Sequence, residues 1–324
     1  MAAAASTATP PPLKQLSEDV SRPPAVATVL AVSLRDTLRV STLFGLLMVL
    51  WHPIYTSLVT ALQTWWPMSN IALFVVGTMV VHESMYYGFN ALLLAARQDP
   101  RLAAYHLPRL SHQEPSTALI WKTLRASFVG HWLIQPLTGW AIYHLFVDRG
   151  MRFDGPGPAV HVAAAQMAIS LLLNDAVFYW AHRLLHHPKL YARFHKQHHE
   201  YKGPVGFAAE YAGTLEQFLS NQLPVVLGPL LVGMHCSTWW LYLTWRLWRT
   251  YEIHSGLMLQ NTWLGRLGLL HGHGAVYHDF HHTNNHGNFG GPANALWDVL
   301  GGTEDPAFRV YCQRHNIRSY HHLD

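Results

Sequence analysis

The sequence predicts an all-α, multi-span integral membrane bundle with a histidine-rich helical cap on its cytosolic side. Three observations carry this reading. Only 12% of the 324 residues are charged while 50% are hydrophobic; an ordinary soluble domain carries about a quarter charged residues, so much of this surface meets a solvent other than water. The apolar residues gather in charge-free stretches near the length of a bilayer crossing, which takes roughly 20 helical residues. Of the 24 histidines, 17 lie at or beyond His182.

Residues 1–30, rich in Ala, Thr and Pro, read as a flexible tail, without the charged start and compact apolar core of a secretory signal. Residues 31–324 read as one membrane-embedded domain. From Val40 through His82 there is no Asp, Glu, Lys or Arg. Pro53 and Trp65-Trp66-Pro67 punctuate this stretch, giving a first helix over 40–62 and a second over 70–95. The second carries His82 and Glu83, which are costly in hydrocarbon and so face protein or water. They are either paired on burial or placed to orient ligands or line a substrate entrance. Further charge-free stretches run from Ala126 to Val147, from Gly155 to Asn174, and from Gln217 to Trp245. The last holds Pro224 and Pro229 and reads as one kinked span or a re-entrant hairpin. Trp239, Trp240, Trp245 and Trp248 read as interfacial anchors.

The polar blocks at 182–216 and 246–324 carry scattered Lys and Arg, which by the positive-inside tendency face the cytosol. No basic run resembles a nucleic-acid footprint, so nucleic acid is excluded as a partner. Cys236 and Cys312 offer neither a disulfide framework nor a CxxC pattern.

Three histidine boxes occupy these blocks. In Asp175-Ala-Val-Phe-Tyr-Trp-Ala-His182-Arg-Leu-Leu-His186-His187-Pro188, His182 and His186 are one helical turn apart. Asp175, two turns earlier, is placed to accept the second ring N–H of a metal-bound imidazole, and Pro188 closes the helix. The second box is His195-Lys-Gln-His198-His199 and the third His278-Asp-Phe-His281-His282, each at helical spacings of three and four. His254 lies between them in Tyr251-Glu-Ile-His254-Ser-Gly256. Histidine is neither a strong helix former nor a good core filler, so nine clustered imidazoles read as a metal site. One zinc needs three or four protein ligands; nine candidates fit two ions. Imidazole suits Zn, Cu, Fe and Ni alike, and a metal pair sharing oxygen points to redox chemistry on O2, where iron is the commonest choice. His187 points about 100° from His186 on a helix and reads as solvent-facing. His286, among asparagines, reads as a polar loop. Glu210, near the second box, reads as a hydrogen-bonding or a catalytic group.

The order HRLLH, HKQHH, HDFHH resembles the fatty acid hydroxylase/sterol desaturase superfamily of membrane di-iron enzymes over roughly Leu171 to Glu304, the histidine-box core being 171–304. Within it, His195 to Asn221 and Arg249 to Gly256 look like the C-4 methylsterol monooxygenase branch. That branch reads AEYAHPxE where this chain has Ala209-Glu-Tyr-Ala-Gly213-Thr214-Leu-Glu216, and Glu where this chain has Asn174. His186 to Lys196 and Trp297 to Gly302 look more like the C-5 sterol desaturase branch. His271 and His273, where the branch has small residues, are accessory candidates. The resemblance implies two Fe ions on His182, His186, His195, His198, His199, His254, His278, His281 and His282, with O2 as co-substrate and hydroxylation of a sterol C-4 methyl group. It implies an endoplasmic reticulum location. No GxGxxG or CxxCH is present, so electrons from NAD(P)H arrive through a separate carrier, by analogy cytochrome b5 and its reductase. The alternatives are sterol C-5 desaturation or another lipid hydroxylation on the same centre. A non-enzymatic membrane metal or haem carrier is the alternative of another class, for which His82, His131 and His144 within the apolar stretches are the hints.

Overall fold

A computed structural model describes residues 25–266, 274–291, 295–315 and 317, and every regular element among them is helical. Helix α1 (Val26–Trp65) has 40 residues, about 60 Å at 1.5 Å per residue, and passes through Pro53 unbroken. It begins well before the expected 40–62, and within the expected tail, because Arg35, Asp36 and Arg39 limit contact with hydrocarbon without stopping a helix; Arg35 pairs with Asp36 at 3.1 Å. Residues 1–24 lie outside the described residues. The hydroxyls of Thr42, Thr56 and Thr64 fold back onto carbonyls four residues earlier at 2.8, 3.0 and 2.8 Å, a pairing that hides them from lipid.

Helix α2 (Asn70–Gln98) starts at Ser69, whose hydroxyl accepts the Ala72 N–H at 3.4 Å, and contains a π-helical turn at Ser84–Phe89. Helix α3 (117–148) is capped by Ser116 and carries a second π turn at Gly130–Ile134. Helix α4 (Val160–Leu185) leads into the short α5 (Pro188–Phe194). The expected fifth stretch resolves into two helices. The first is α6 (214–231), with a π turn at Gln217–Gln222, and the second is α7 (Cys236–His254). The reversal between them at 232–235 uses Gly233 at φ +59°, a conformation costly for other residues. Helices α8 (Ala275–Asn284), α9 (Leu296–Gly301) and α10 (Pro306–Arg314) follow.

Among the described residues α1, α2 and α4 are long and apolar enough to cross a membrane. Helix α1 lies along α4, α4 along α6, and α2 against α3 and α7. Gly228 brings α6 onto α4: a Cβ there would meet the Ser170 Cα at 2.5 Å, the close backbone approach that small residues allow in membranes. Outward faces expose Leu38, Leu50, Leu92, Leu133 and Leu137, an apolar surface suited to lipid rather than water. Trp239 and Trp240 overturn their expected interfacial role. Both are buried, at 3% and 4% exposure, because their helix packs into the core beside Phe74, Phe146 and Tyr55. Trp245 and Trp248 are half-buried.

Candidate metal centre

The end of α4, the turn after α5, the end of α7 and helix α8 converge on one buried region. His182 occupies the last turn of α4 and His186 caps it. Helix α5 stops at Phe194, so the second box is not α-helical: His195 caps α5 and His198–Glu200 form a 3-10 turn. The shared face expected for that box is lost, since a tighter turn turns His198 and His199 in different directions. The third box lies on α8, where His278 and His282 share a face and His281 points elsewhere.

The eight boxed histidines and His254 come together, and they form two groups that cut across the boxes. His182, His186, His195, His199 and His281 make one; His198, His254, His278 and His282 make the other. Within each group the nearest ligand atoms all lie within 4.8 Å of one another. In the first, His195 Nε2 is 2.9 Å from His186 Nε2 and 3.0 Å from His199 Nε2. In the second, His278 Nε2 is 2.8 Å from His254 Nε2 and 3.1 Å from His282 Nε2.

Tautomers decide what these contacts mean. Backbone carbonyls accept from the Nδ1–H of His182 (Phe289, 3.0 Å), His254 (Thr250, 2.7 Å), His281 (Gly287, 2.7 Å) and His282 (Tyr201, 2.9 Å). A carbonyl only accepts, so each of these rings carries its proton on Nδ1 and turns a bare Nε2 lone pair inward. His281 Nε2 is buried with no partner. Converging lone pairs are a ready donor set for a cation between them. Metal–imidazole bonds of about 2.0–2.1 Å, as for zinc, put neighbouring donors about 3 Å apart, which is the spacing found. The donor set therefore fits two metal ions. Burial first, then repulsion among neighbouring imidazoles, holds His186, His195, His199, His278 and His282 well below the usual histidine range, and burial lowers His254 to about 4. The rings are neutral, as ligands must be.

The carboxylate beside a ligand differs from the one expected. His182 gives its Nδ1–H to Phe289, not to Asp175, because the 289–290 loop reaches that face of α4 first. Glu216 takes the role instead at His195, Oε1 to Nδ1 at 2.6 Å, fixing ring orientation as carboxylates beside metal-bound imidazoles do. Asp298 holds the Phe289 loop, accepting from Phe289 N, Gly290 N, Thr303 Oγ1 and Tyr277 Oη at 2.5–3.0 Å. Asp279, inside the third box, faces away and pairs with Arg109 at 2.9 Å. His187 and His286 are exposed, and His187 caps α5 through the Lys189 N–H at 3.3 Å. His271 and His273 lie outside the described residues.

A largely apolar chamber of about 130 Å³ opens beside the centre, lined by Phe74, Met79, Ile142, Val226, Trp239 and Leu243, with His82, Gln135 and Glu210 at one wall. A smaller cavity of about 20 Å³ is lined by His182, His195, His198, His254 and His278. Asn221, Arg246 and Thr250 line both and so form the neck between chamber and imidazoles. Arg246 is buried, held by Asn174 at 2.8 Å and by the Thr250 hydroxyl. Neither the chamber nor Glu216 was legible as such; the nearest signal was the Glu that ends the stretch compared with AEYAHPxE.

Comparison with known proteins gives the following. The fatty acid hydroxylase family matches residues 167–303. Methylsterol monooxygenase 2-2 of Arabidopsis thaliana is 31% identical over 214 residues, covering 66% of this chain and 78% of that protein. Methylsterol monooxygenase 1 of Rattus norvegicus is 29% identical over 240 residues, 74% of this chain and 79% of its own length. The very-long-chain aldehyde decarbonylase GL1-8 of Oryza sativa subsp. indica is 32% identical over 217 residues, 66% and 78% respectively. No solved structure matches the chain.

Proposed function

The chain belongs to the fatty acid hydroxylase family, and from that premise we propose that it is an O2-dependent membrane oxygenase that holds two iron ions on its eight boxed histidines and His254 and hydroxylates a sterol C-4 methyl group. One observation carries the metal reading: two adjacent groups of largely buried imidazoles bring their ring nitrogens together next to an apolar chamber. Similarity to methylsterol monooxygenases supports the substrate class. When bound, an iron pair supplies reductive activation of O2 and removal of hydrogen from an unactivated C–H bond.

The protein's own residues do the rest. His182, His186, His195, His199 and His281 are the ligands of one ion, and His198, His254, His278 and His282 those of the other. The carbonyls of Phe289, Gly287, Thr250 and Tyr201 keep four of these rings in the ligating tautomer. Phe74, Met79, Ile142, Val226, Trp239 and Leu243 bind the substrate's fused apolar rings and exclude water. Arg246, Asn221 and Thr250, at the neck, bind the oxygen-bearing end of the substrate and present the carbon beside it to the centre. Lys189, Arg193 and Lys196 are exposed next to His195, a basic surface for an acidic electron carrier such as cytochrome b5 with its reductase. These residues then face the cytosol, with the spans in the endoplasmic reticulum membrane.

The test uses the full chain purified in detergent. About two irons per chain, O2 uptake with a reduced carrier, and mass-spectrometric gain of one oxygen on a 4-methyl sterol are expected, all lost or greatly reduced in His198→Ala. Loss of two hydrogens would assign C-5 desaturation. Conversion of a long-chain aldehyde alone would follow the rice relative instead. One bound haem, or no O2 uptake, removes the oxygenase reading.

A further inference from the structure

A second polar cluster lies outside the nine histidines. His82 and Glu83 come from α2, His131 from α3, and Glu210 from the 206–210 turn. His131 sits inside the Gly130–Ile134 π turn and Glu83 immediately before the Ser84–Phe89 π turn. Such turns insert a residue into a helix and recur at functional sites. The four side chains close a ring. Glu83 Oε1 holds His82 Nδ1 at 3.0 Å and Glu83 Oε2 holds His131 Nδ1 at 3.2 Å. On the far side, His82 Nε2 is 3.2 Å from Glu210 Oε1 and His131 Nε2 is 2.9 Å from Glu210 Oε2. Glu210 also accepts from the Tyr251 hydroxyl, and Gln135 Nε2 lies 3.1 Å from His82.

We propose that His82, His131 and Glu210 form a third, mononuclear site for a divalent first-row metal ion, with Glu83 as its positioning residue. The geometry is the first ground. One carboxylate clamps both Nδ1 atoms, so both Nε2 atoms are forced toward the same second carboxylate. Each Nε2 ends about 3 Å from a Glu210 oxygen and the three donors all lie within 4.8 Å of one another, a spread that bonds of about 2.0–2.2 Å to one ion draw together. The Glu83 clamp repeats at two rings what Glu216 does at His195, the outer carboxylate that accompanies metal-bound imidazole.

Charge is the second ground. His131 and Glu210 are buried, at 1% and 8% exposure. Two carboxylates enclosed in this region demand two compensating positive charges. Without a metal those are two ring protons; one divalent cation displaces both, leaving the net charge unchanged. Access is the third. His82, Gln135 and Glu210 line the apolar chamber, so a position not filled by protein faces the space where a lipid would lie. Two histidines and a carboxylate with an open position is a ligand set that zinc or ferrous iron takes in water- or substrate-binding sites. The site stands whether or not the chamber's substrate is a sterol.

The experiment is a stoichiometric titration of the chelator-stripped full chain in detergent with Zn2+, read by a competing metallochromic chelator and by elemental analysis. The wild type is expected to take three equivalents, Glu210→Gln two, and Glu83→Gln three, with one bound roughly 10–100-fold more weakly. Co2+ as a second probe reports the third equivalent by a d–d spectrum that Glu210→Gln removes. Size-exclusion profile and thermal unfolding establish that each variant is folded. Should Glu210→Gln misfold, the wild-type stoichiometry and Glu83→Gln decide the matter. Saturation of the wild type at two equivalents, or three full-affinity equivalents in folded Glu210→Gln, overturns the proposal and leaves the ring as a proton-sharing network.

Discussion

Glu216→Gln keeps the length and shape of its side chain and changes what His195 leans on. The wild-type contact is 2.6 Å between Glu216 Oε1 and His195 Nδ1, with the two side chains 4% and 2% exposed. A hydrogen bond to a charged group contributes about 1.5–3 kcal/mol. Its neutral replacement recovers part of that, and Glu216 Oε2 already lacks a partner, so the new amide nitrogen gains none. Burial pushes the Glu216 carboxyl well above its usual range, and a cation at the far nitrogen of His195 is what draws its negative charge out. The expected loss is the roughly 10–100-fold in metal affinity, about 1.4–2.7 kcal/mol, seen for carboxylates behind metal-bound histidines. The loss is greatest at the group containing His195. Competition titration with a chelator of known affinity should show one tight equivalent weakened by that factor and another, on His198, His254, His278 and His282, weakened several-fold less, the two groups being in ring contact at His199 and His282 (centroids 4.6 Å apart) and so coupled. Equal weakening of both equivalents, or of neither, refutes the assignment of Glu216.

Arg246→Met removes the bonds to Asn174 and Thr250 while filling similar volume; turnover with a lipid substrate should fall roughly 10–100-fold, from one or two charged hydrogen bonds, with metal content unchanged by elemental analysis. Gly77→Ala places a Cβ 1.8 Å from the Trp240 ring, so overpacking should cost about 1–3 kcal/mol, read as a lower midpoint of thermal unfolding. In the metal-free protein the folded pKa of His254, about 4, lies below the unfolded value near 6.5. Between these values the unfolded chain binds more protons, so stability is highest above pH 6.5 and falls as the pH drops toward 4. Thermal midpoints at pH 7.5, 6 and 5 should descend in that order, and a rise on acidification would contradict the burial of neutral imidazoles.

Eight of the nine imidazoles were legible because their spacing is local: HxxxH and HxxHH put candidate ligands within one turn of each other, while His254, in no box, was legible through the resemblance of Arg249 to Gly256. Their division into two groups was not. It depends on a 3-10 turn at His198–Glu200 where the spacing suggested an α-helix, so His198 parts company with His195 and His199. The partners that set ring orientation were also hidden, since Phe289 is 107 residues from His182 and Tyr201 is 81 from His282. Asp175 looked suitable from helical geometry alone, which counts turns along one helix and is blind to a loop arriving from elsewhere. Trp239 and Trp240 misled for a related reason: tryptophan at the end of an apolar stretch suits an interface, but here its helix is enclosed by α1, α2 and α6. His82 and Glu83 were noticed as polar residues in an apolar run, and what the run could not show was His131, 48 residues further on, sharing the same carboxylate.

The interleaving of the boxes bears on how the chain is made. Helix α8 supplies His281 to one group and His278 and His282 to the other. Before α8 emerges from the ribosome, the first group has four of its five histidines and the second only His198 and His254. The second pocket therefore does not exist during most of translation, whereas the first can already compete for whatever ion is at hand. Closing the loop of about 80 residues between His198 and His278 adds an entropic cost that grows only slowly with length. Both pockets are then finished by the same short helix, in the same event, after the spans have been inserted.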